Sequence, residues 1–273
     1  MIQELPGLPE GETGRQPPEG SEPAAALELI GIAKRFGRTE VLRDATLTVR
    51  RGERLAVIGP NGAGKTSLFD IVSGRLAPSA GQVWLGGQRI DGLSPHAVHR
   101  RGLGRSHQVS QLFARLTVAE HLRCALLPAS GKAGSFWRRL ATMRSLQREV
   151  HLWLERLGLL ARADVPAAAL SYAEQRALEI GLAAAGGSPV LLLDEPTAGM
   201  SRSETQRCVA LIRSVCEGRT LLVVEHDMAV VFELADRIAV LADGRFIAVD
   251  TPERVRADAR VQQAYLGTAM QHA

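Results

Sequence analysis

Residues 59–66 read Gly-Pro-Asn-Gly-Ala-Gly-Lys-Thr, the G-x4-G-K-[ST] spacing of a phosphate-binding loop. Glycine at Gly59, Gly62 and Gly64 lets backbone N–H groups turn inward around phosphate oxygens, where side chains would block the approach. The positive end of a following helix adds to that field. Lys65 is placed to reach the β and γ phosphates of a nucleotide, and Thr66 to offer its hydroxyl to Mg²⁺. Pro60, Asn61, Ala63 and Ser67 complete the loop. Lys65 is one of three lysines, with Lys34 and Lys132, in a chain that otherwise uses arginine. That choice fits the need for a slim point charge. A glycine-rich structural turn is the plainer alternative.

Acidic and imidazole groups follow two other apolar runs. Leu191-Leu-Leu leads into Asp194-Glu195, and Leu221–Val224 leads into Glu225-His226. An open α/β sheet binds ligands at the carboxyl ends of its strands, so both points can face the glycine loop. Asp194 suits Mg²⁺, usually through water, and Glu195 can act as general base toward an attacking water. Taken singly, each has a structural reading as well; their shared chain order with the loop is what joins them. Ser171-Tyr-Ala-Glu174 is a capping box, so a helix begins there with its anion-attracting end exposed.

These groups need elements to hold them. Leu27–Ile30, Thr46–Val49, Arg54–Ile58 and Gln82–Leu85 read as strands, and a helix runs from Lys65 to a glycine stop at Gly74. Ser94-Pro95 has the pattern of an N-cap followed by proline at the first helical position. Thr117-Val-Ala-Glu120 is a further capping box, opening a helix to about Leu127. Phe136, Leu140, Met143, Leu146, Val150, Trp153 and Leu157 recur every three or four residues, predicting a helix over Ser135–Leu157. Val190–Leu193 and Leu221–Val224 are continuous apolar strands of the sort a parallel sheet buries on both faces. Ile238–Leu241, an Asp243-Gly244 turn and Phe246–Val249 read as a terminal hairpin.

The 273 residues suffice for one large domain, or one domain with an inserted subdomain. Uninterrupted hydrophobic runs are too short for a spanning helix, and no secretory signal is apparent at the start. Cys124, Cys208 and Cys216 form no C-x-x-C pair, which argues against a zinc knuckle or disulfide framework and suits a reducing cytosol. Net charge is +4, unevenly spread: residues 1–23 hold five glutamates and one arginine, with five prolines and four glycines. They read as a disordered leader. The basic remainder shows no dense stripe interleaved with aromatics, so no nucleic-acid partner is expected.

The glycine loop, the Gln108 segment, Leu170-Ser-Tyr-Ala-Glu-Gln175, the acidic strand end and His226 together resemble the ATP-binding subunits of ABC transporters. The resemblance covers about residues 27–267. Leu-Ser-Tyr in place of Leu-Ser-Gly, Thr197-Ala-Gly-Met200, Glu225-His-Asp-Met228, and Thr251-Pro-Glu with Ala264-Tyr-Leu-Gly267 are similar to the branched-chain amino-acid uptake group. It implies an α/β fold: a P-loop NTPase core with an inserted helical subdomain (about 105–180) and an antiparallel β subdomain. The domain would span 27–267, with a leader at 1–26 and a tail at 268–273.

The same resemblance implies further roles. Phe36 would stack on adenine, a hydrophobic plug being the other reading. Gln108 would touch Mg²⁺ or the water and link the core to the helical subdomain; an ordinary surface glutamine is the alternative. His226 would hold the γ phosphate. Ser171 would meet the ATP bound by a second ATP-binding subunit, identical or paralogous, so that each nucleotide lies between two chains; a helix cap alone is the other reading. Transmembrane permease subunits would dock near residues 105–160, a periplasmic solute-binding protein would act indirectly through them, and the chain would sit peripherally on the cytoplasmic face of the inner membrane.

There are departures from the family pattern. Ala173 replaces the signature's second glycine and Glu174 its glutamine, Ser201 replaces an aspartate, and His107 an aromatic residue. An added methyl and a carboxylate near phosphate would loosen closure, so a regulatory ATP-binding module with weak hydrolysis is one rival. A soluble ABC ATPase acting on ribosomes or DNA is another, but such chains carry two ATPase halves, a coiled-coil insertion or zinc cysteines.

Overall fold

The structure is a computed structural model that describes residues 24–106, 112–129 and 144–270. Gln108 and His107 lie outside the described residues, as does the first part of the helix expected over 135–157.

Two long strands, β1 (Ala25–Phe36) and β2 (Thr39–Arg50), pair antiparallel before the short β3 (Arg54–Ile58). The helix α1 (Lys65–Val72) then leads to β4 (Ala80–Leu85) and β5 (Gln88–Arg89). These join β1 and β2 in a four-stranded antiparallel sheet of order β2-β1-β4-β5. Next come α2 (Pro95–Arg100), β6 (Leu103–Arg105), α3 (Val118–Ala129), α4 (Arg144–Arg156) and α5 (Tyr172–Ala185). The chain returns to strand in β7 (Val190–Asp194), crosses α6 (Arg202–Val215) to β8 (Thr220–Val224), and crosses α7 (Met228–Leu234) to β9 (Arg237–Ala242). Then β10 (Arg245–Asp250), α8 (Pro252–Ala257) and α9 (Ala259–Met270) follow.

The second sheet has the order β10-β9-β3-β8-β7-β6, parallel except for the β9–β10 hairpin. Every residue of β7 and β8 is buried, as the unbroken apolar runs require of strands covered on both faces. Alternation along β3 divides the core. Leu55 and Val57 face α1 and the antiparallel sheet, packing with Phe69, Leu42, Leu47 and Leu192. Ala56 and Ile58 face the other way, with Leu191, Leu193, Val209, Ile212 and Val231. A third cluster joins α3, α4 and α5 through Leu122, Leu146, Val150, Leu154 and Leu178. α5 touches both regions: its Ile180 and Ala184 lie against the parallel sheet, while Leu178 and Ala185 pack into the helical cluster.

Several sequence expectations take realised form. Thr117 N–H donates to Glu120 at 2.8 Å and Glu120 N–H donates back to Thr117 Oγ1 at 3.2 Å, closing the box before α3. Ser94 caps α2, with Pro95 in its first turn. Four bounds differ. β1 begins at Ala25, inside the stretch expected as leader, because Ala26 is buried. β1 and β2 run well past the short strands expected, with register shifts that interrupt their alternation. The expected hairpin does not end the chain, since α8 and α9 follow it. Residues 268–270, expected as tail, belong to α9.

Candidate functional site

The glycine loop sits between the end of β3 and the start of α1, with the backbone glycine makes possible. Gly62 and Gly64 have φ of 81° and 102°, in the left-handed region. A Cβ at Gly59 would lie 2.0 Å from the Leu241 carbonyl oxygen; one at Gly64 would lie 2.8 Å from Leu42 Cδ2. Packing therefore demands glycine at 59; at 64 the left-handed angle is the main constraint, with the Val41 carbonyl oxygen 3.0 Å away adding to it, and at 62 the space is open and backbone angle alone matters. No side chain caps α1, and its first turn carries no acidic residue. The N-terminal N–H groups and their positive field are thus left for an anion.

Lys65 curls back under the loop, its ammonium donating to the carbonyls of Gly59 at 2.7 Å and Pro60 at 3.0 Å. Burial draws its pKa below the usual lysine value, against the opposing pull of the Glu195 and Asp194 carboxylates. Ala63 is buried; Asn61, Gly62 and Thr66 are exposed; Pro60 and Ser67 are half-buried.

The parallel register sets Asp194 of β7 beside Val224 of β8, and Val57 of β3 beside Val224 from the other side. The ends of the three strands are therefore level. Asp194 is buried, and burial raises its pKa, opposed by the Arg105 guanidinium 3.5 Å away. Arg105 itself is held by Asp70 at 2.8 Å, the Phe69 carbonyl and the Ser73 hydroxyl, so it spans from the end of α1 to the acidic strand. Glu195 has φ of 45°, unusual for a residue with a side chain, and its N–H donates to the Val224 carbonyl at 2.9 Å. Its Oε1 lies 3.9 Å from Nδ1 of His226, whose side chain is largely exposed. Lys65, Asp194, Glu195 and His226 thus converge at one end of the sheet.

In the sequence Glu225 was placed at a strand end beside His226 but given no role, and Arg105 was missed. Glu225 is 1% exposed; its carboxylate accepts from Thr197 N–H at 3.0 Å, Thr197 Oγ1 at 2.7 Å and His226 N–H at 3.2 Å. Its signal was position, beside His226 at the end of a buried strand. Arg105 had none beyond its nearness to Gln108.

The remaining expected residues stand apart from that convergence. Ser171 caps α5 as the box predicted, accepting from Glu174 N–H and donating its own N–H to Glu174 Oε2 at 2.8 Å. Glu174 Oε1 accepts from Arg162 at 3.0 Å. These bonds hold its carboxyl below the usual glutamate range, the Ser171 backbone contact first. Ser171 therefore bonds within its own helix start rather than to the loop at 59–66. Phe36 is half exposed at the end of β1, with Lys34 Nζ 5.0 Å from its ring centroid.

A phosphate-cradling loop after a central parallel strand, with acidic and imidazole groups at neighbouring strand ends, defines a P-loop nucleotide-binding protein. A family model described as ABC transporter matches residues 42–198. A second, described as branched-chain amino acid ATP-binding cassette transporter, matches residues 247–270. The chain belongs to the ABC transporter family, and it is an ATP-binding ATPase subunit of that family.

Among its relatives is the high-affinity branched-chain amino acid transport ATP-binding protein LivG of Escherichia coli (strain K12). It is 37% identical over 253 residues, covering 89% of this chain and 98% of LivG. The corresponding protein BraF of Pseudomonas aeruginosa is 35% identical over the same shares. Among solved structures, the ADP conformation of MJ1267, an ATP-binding cassette of an ABC transporter, superposes with a TM-score of 0.77 at 25% identity. That match covers 89% of this chain and 99% of MJ1267.

Proposed function

We propose that this chain hydrolyses ATP to drive an importer of branched-chain or related amino acids. The convergence of Lys65, Asp194, Glu195 and His226 at one sheet end carries the hydrolytic part. Likeness to LivG and BraF over 89% of the chain supports the choice of solute.

In this reading residues 59–67 wrap the phosphates, with Lys65 giving up its contacts to Gly59 and Pro60 for phosphate oxygens. Phe36 offers its exposed ring to the base. The donor set also fits Mg²⁺: Thr66 presents an exposed hydroxyl, and the buried Asp194 carries a charge whose desolvation a cation offsets. Bound Mg²⁺ would neutralise phosphate charge, and Gln108 would contribute to the same ligand set. Glu195 takes the proton of the attacking water while His226 holds the γ phosphate. Ser171 completes the second site of an ATP-bound pair of subunits.

No helix among the described residues is long and apolar enough to cross a membrane; the likeness to importer subunits supports a separate permease as the pathway. We place this chain on the cytoplasmic side of that permease, with residues 105–160 facing it and about 105–180 forming the helical subdomain. Preferential ATP binding to the closed pair supplies the work of switching the permease.

Replacing Glu195 with Gln tests the reading. ATP should bind with unchanged affinity, turnover should fall at least a hundredfold by the usual weight of a general base, and an ATP-bound dimer should accumulate on gel filtration. Unchanged turnover would remove Glu195 from the base role.

A further inference from the structure

The tyrosine after Ser171 is one of the features that sets this chain apart from the Leu-Ser-Gly pattern, and nucleotide binding leaves it without a role. Tyr172 is the first residue of α5 and is half exposed. Its hydroxyl donates to the Ala198 carbonyl at 3.0 Å and accepts from Arg176 Nη2 at 3.0 Å. The Arg176 guanidinium also lies over the tyrosine ring, 5.6 Å from its centroid, and is fixed by Glu179 at 2.9 Å. The hydroxyl is therefore aimed by a buried ion pair within its own helix.

Ala198 belongs to the loop at 196–200 that directly follows Glu195. The same loop is fastened on its other side, where Thr197 gives both its N–H and its hydroxyl to Glu225. Glu225 in turn accepts the His226 N–H at 3.2 Å. Between these two fastenings, Ala198 N–H donates to the Glu195 carbonyl at 3.2 Å. Glu195 holds a left-handed backbone at φ 45°, a conformation that persists only where the surroundings over-determine it. The loop bound at both sides supplies that determination.

We propose that Tyr172 is a positioning residue for hydrolysis: its hydroxyl, opposite Glu225, clamps the loop at 196–200 and so fixes Glu195 relative to His226. The clamp joins the Ser171 end of α5 to the hydrolytic groups of the same chain. A shift of α5 on meeting a second subunit's nucleotide would then be felt at this chain's own Glu195. This inference rests on the proposed roles of Glu195 and His226.

The test uses the full-length chain with Tyr172→Phe, which removes only the hydroxyl and keeps the ring over Arg176. Of the two bonds lost, the neutral one to the Ala198 carbonyl belongs to the clamp and sets the scale at about two- to tenfold. The kcat of ATP hydrolysis should fall by that factor, while KM and the Kd of a fluorescent ATP analogue stay at wild-type values and the melting temperature drops by only a few degrees, about 2–6 °C. Thr197→Val should lower kcat in the same manner, and the double variant should be little worse than the worse single, because either release frees the loop. Wild-type kcat in Tyr172→Phe, a change confined to KM, or a double variant whose losses multiply would each overturn the clamp. Glu195→Gln, assayed in parallel, separates the two levels. Its full turnover would overturn the hydrolytic reading and the clamp with it, whereas its inactivity beside an unaffected Tyr172→Phe would overturn the clamp alone.

Discussion

Gly59 and Gly62 lie in one loop, yet the structure assigns their substitution by alanine very different costs. An added Cβ at Gly59 would sit 2.0 Å from the Leu241 carbonyl oxygen and 3.1 Å from its carbon. Both atoms are backbone of β9, which is paired to β3 through Ile58 and Val240 one residue away. Relief requires prising two central strands apart, and overpacking of this kind costs about 1–3 kcal/mol. The backbone angle, φ 156°, adds strain of about 1–3 kcal/mol. Gly59→Ala should therefore lose about 2–6 kcal/mol, a large share of the roughly 5–15 kcal/mol typical of a domain. At Gly62 a Cβ would meet nothing within 4 Å, so only the φ of 81° resists, at about 1–2 kcal/mol. Urea unfolding of both variants without nucleotide measures the difference. A Gly59→Ala variant no less stable than Gly62→Ala would refute the argument that strand packing, rather than phosphate approach alone, fixes glycine at 59.

Other expectations are shorter. Lys65→Met should weaken ATP binding about 10- to 150-fold, the range of one charge-assisted hydrogen bond, as read by titration with a fluorescent analogue. The Ser171 contacts hold Glu174 ionised below the usual range, so their stabilisation is complete above pH ~4.3 and is lost as pH falls through the depressed folded-state value. Glu174→Gln should keep the helix cap while flattening that acid-side loss in a pH series of melting curves. Burial pushes the Cys208 and Cys216 thiols up to about 12 and about 11, while Cys124 is exposed. Iodoacetamide on the folded chain at pH ~8.5 should thus label Cys124 alone. Because unfolded thiols ionise near ~8.5, the folded state holds more protons above that pH, and stability should decline as pH rises further.

How far the sequence revealed the site follows from which interactions are local. The run Arg54–Ile58, the glycine loop and the helix start at Lys65 were legible because each is set by residues adjacent in the chain. The capping boxes at Thr117 and Ser171 were legible for the same reason. β6 was not, since it is only Leu103–Arg105 and includes a glycine that reads as loop. Gly104 is explained instead by distant packing: a Cβ there would lie 2.1 Å from the Ala183 carbonyl. Glu225 was invisible as an anchor for Thr197 because the two residues, 28 apart in the chain, meet only once β7 and β8 are paired.

The same distinction revises the concern over Glu174. Read as a letter, a carboxylate beside a phosphate site opposes the anion it should help to bind. In the fold one of its oxygens is engaged by the Ser171 N–H and the other by the Arg162 guanidinium. Much of the field that would repel an incoming phosphate is therefore compensated where it arises. Arg162 is itself half exposed, so the compensation is screened by salt and loosens as ionic strength rises. Arg162→Gln should accordingly weaken closure of an ATP-bound pair, and most at low salt, where the uncovered Glu174 charge is least screened. Dimer formation by Glu195→Gln chains that is indifferent to Arg162→Gln at low salt would mean that the Glu174 charge lies too far from the bound phosphate to matter.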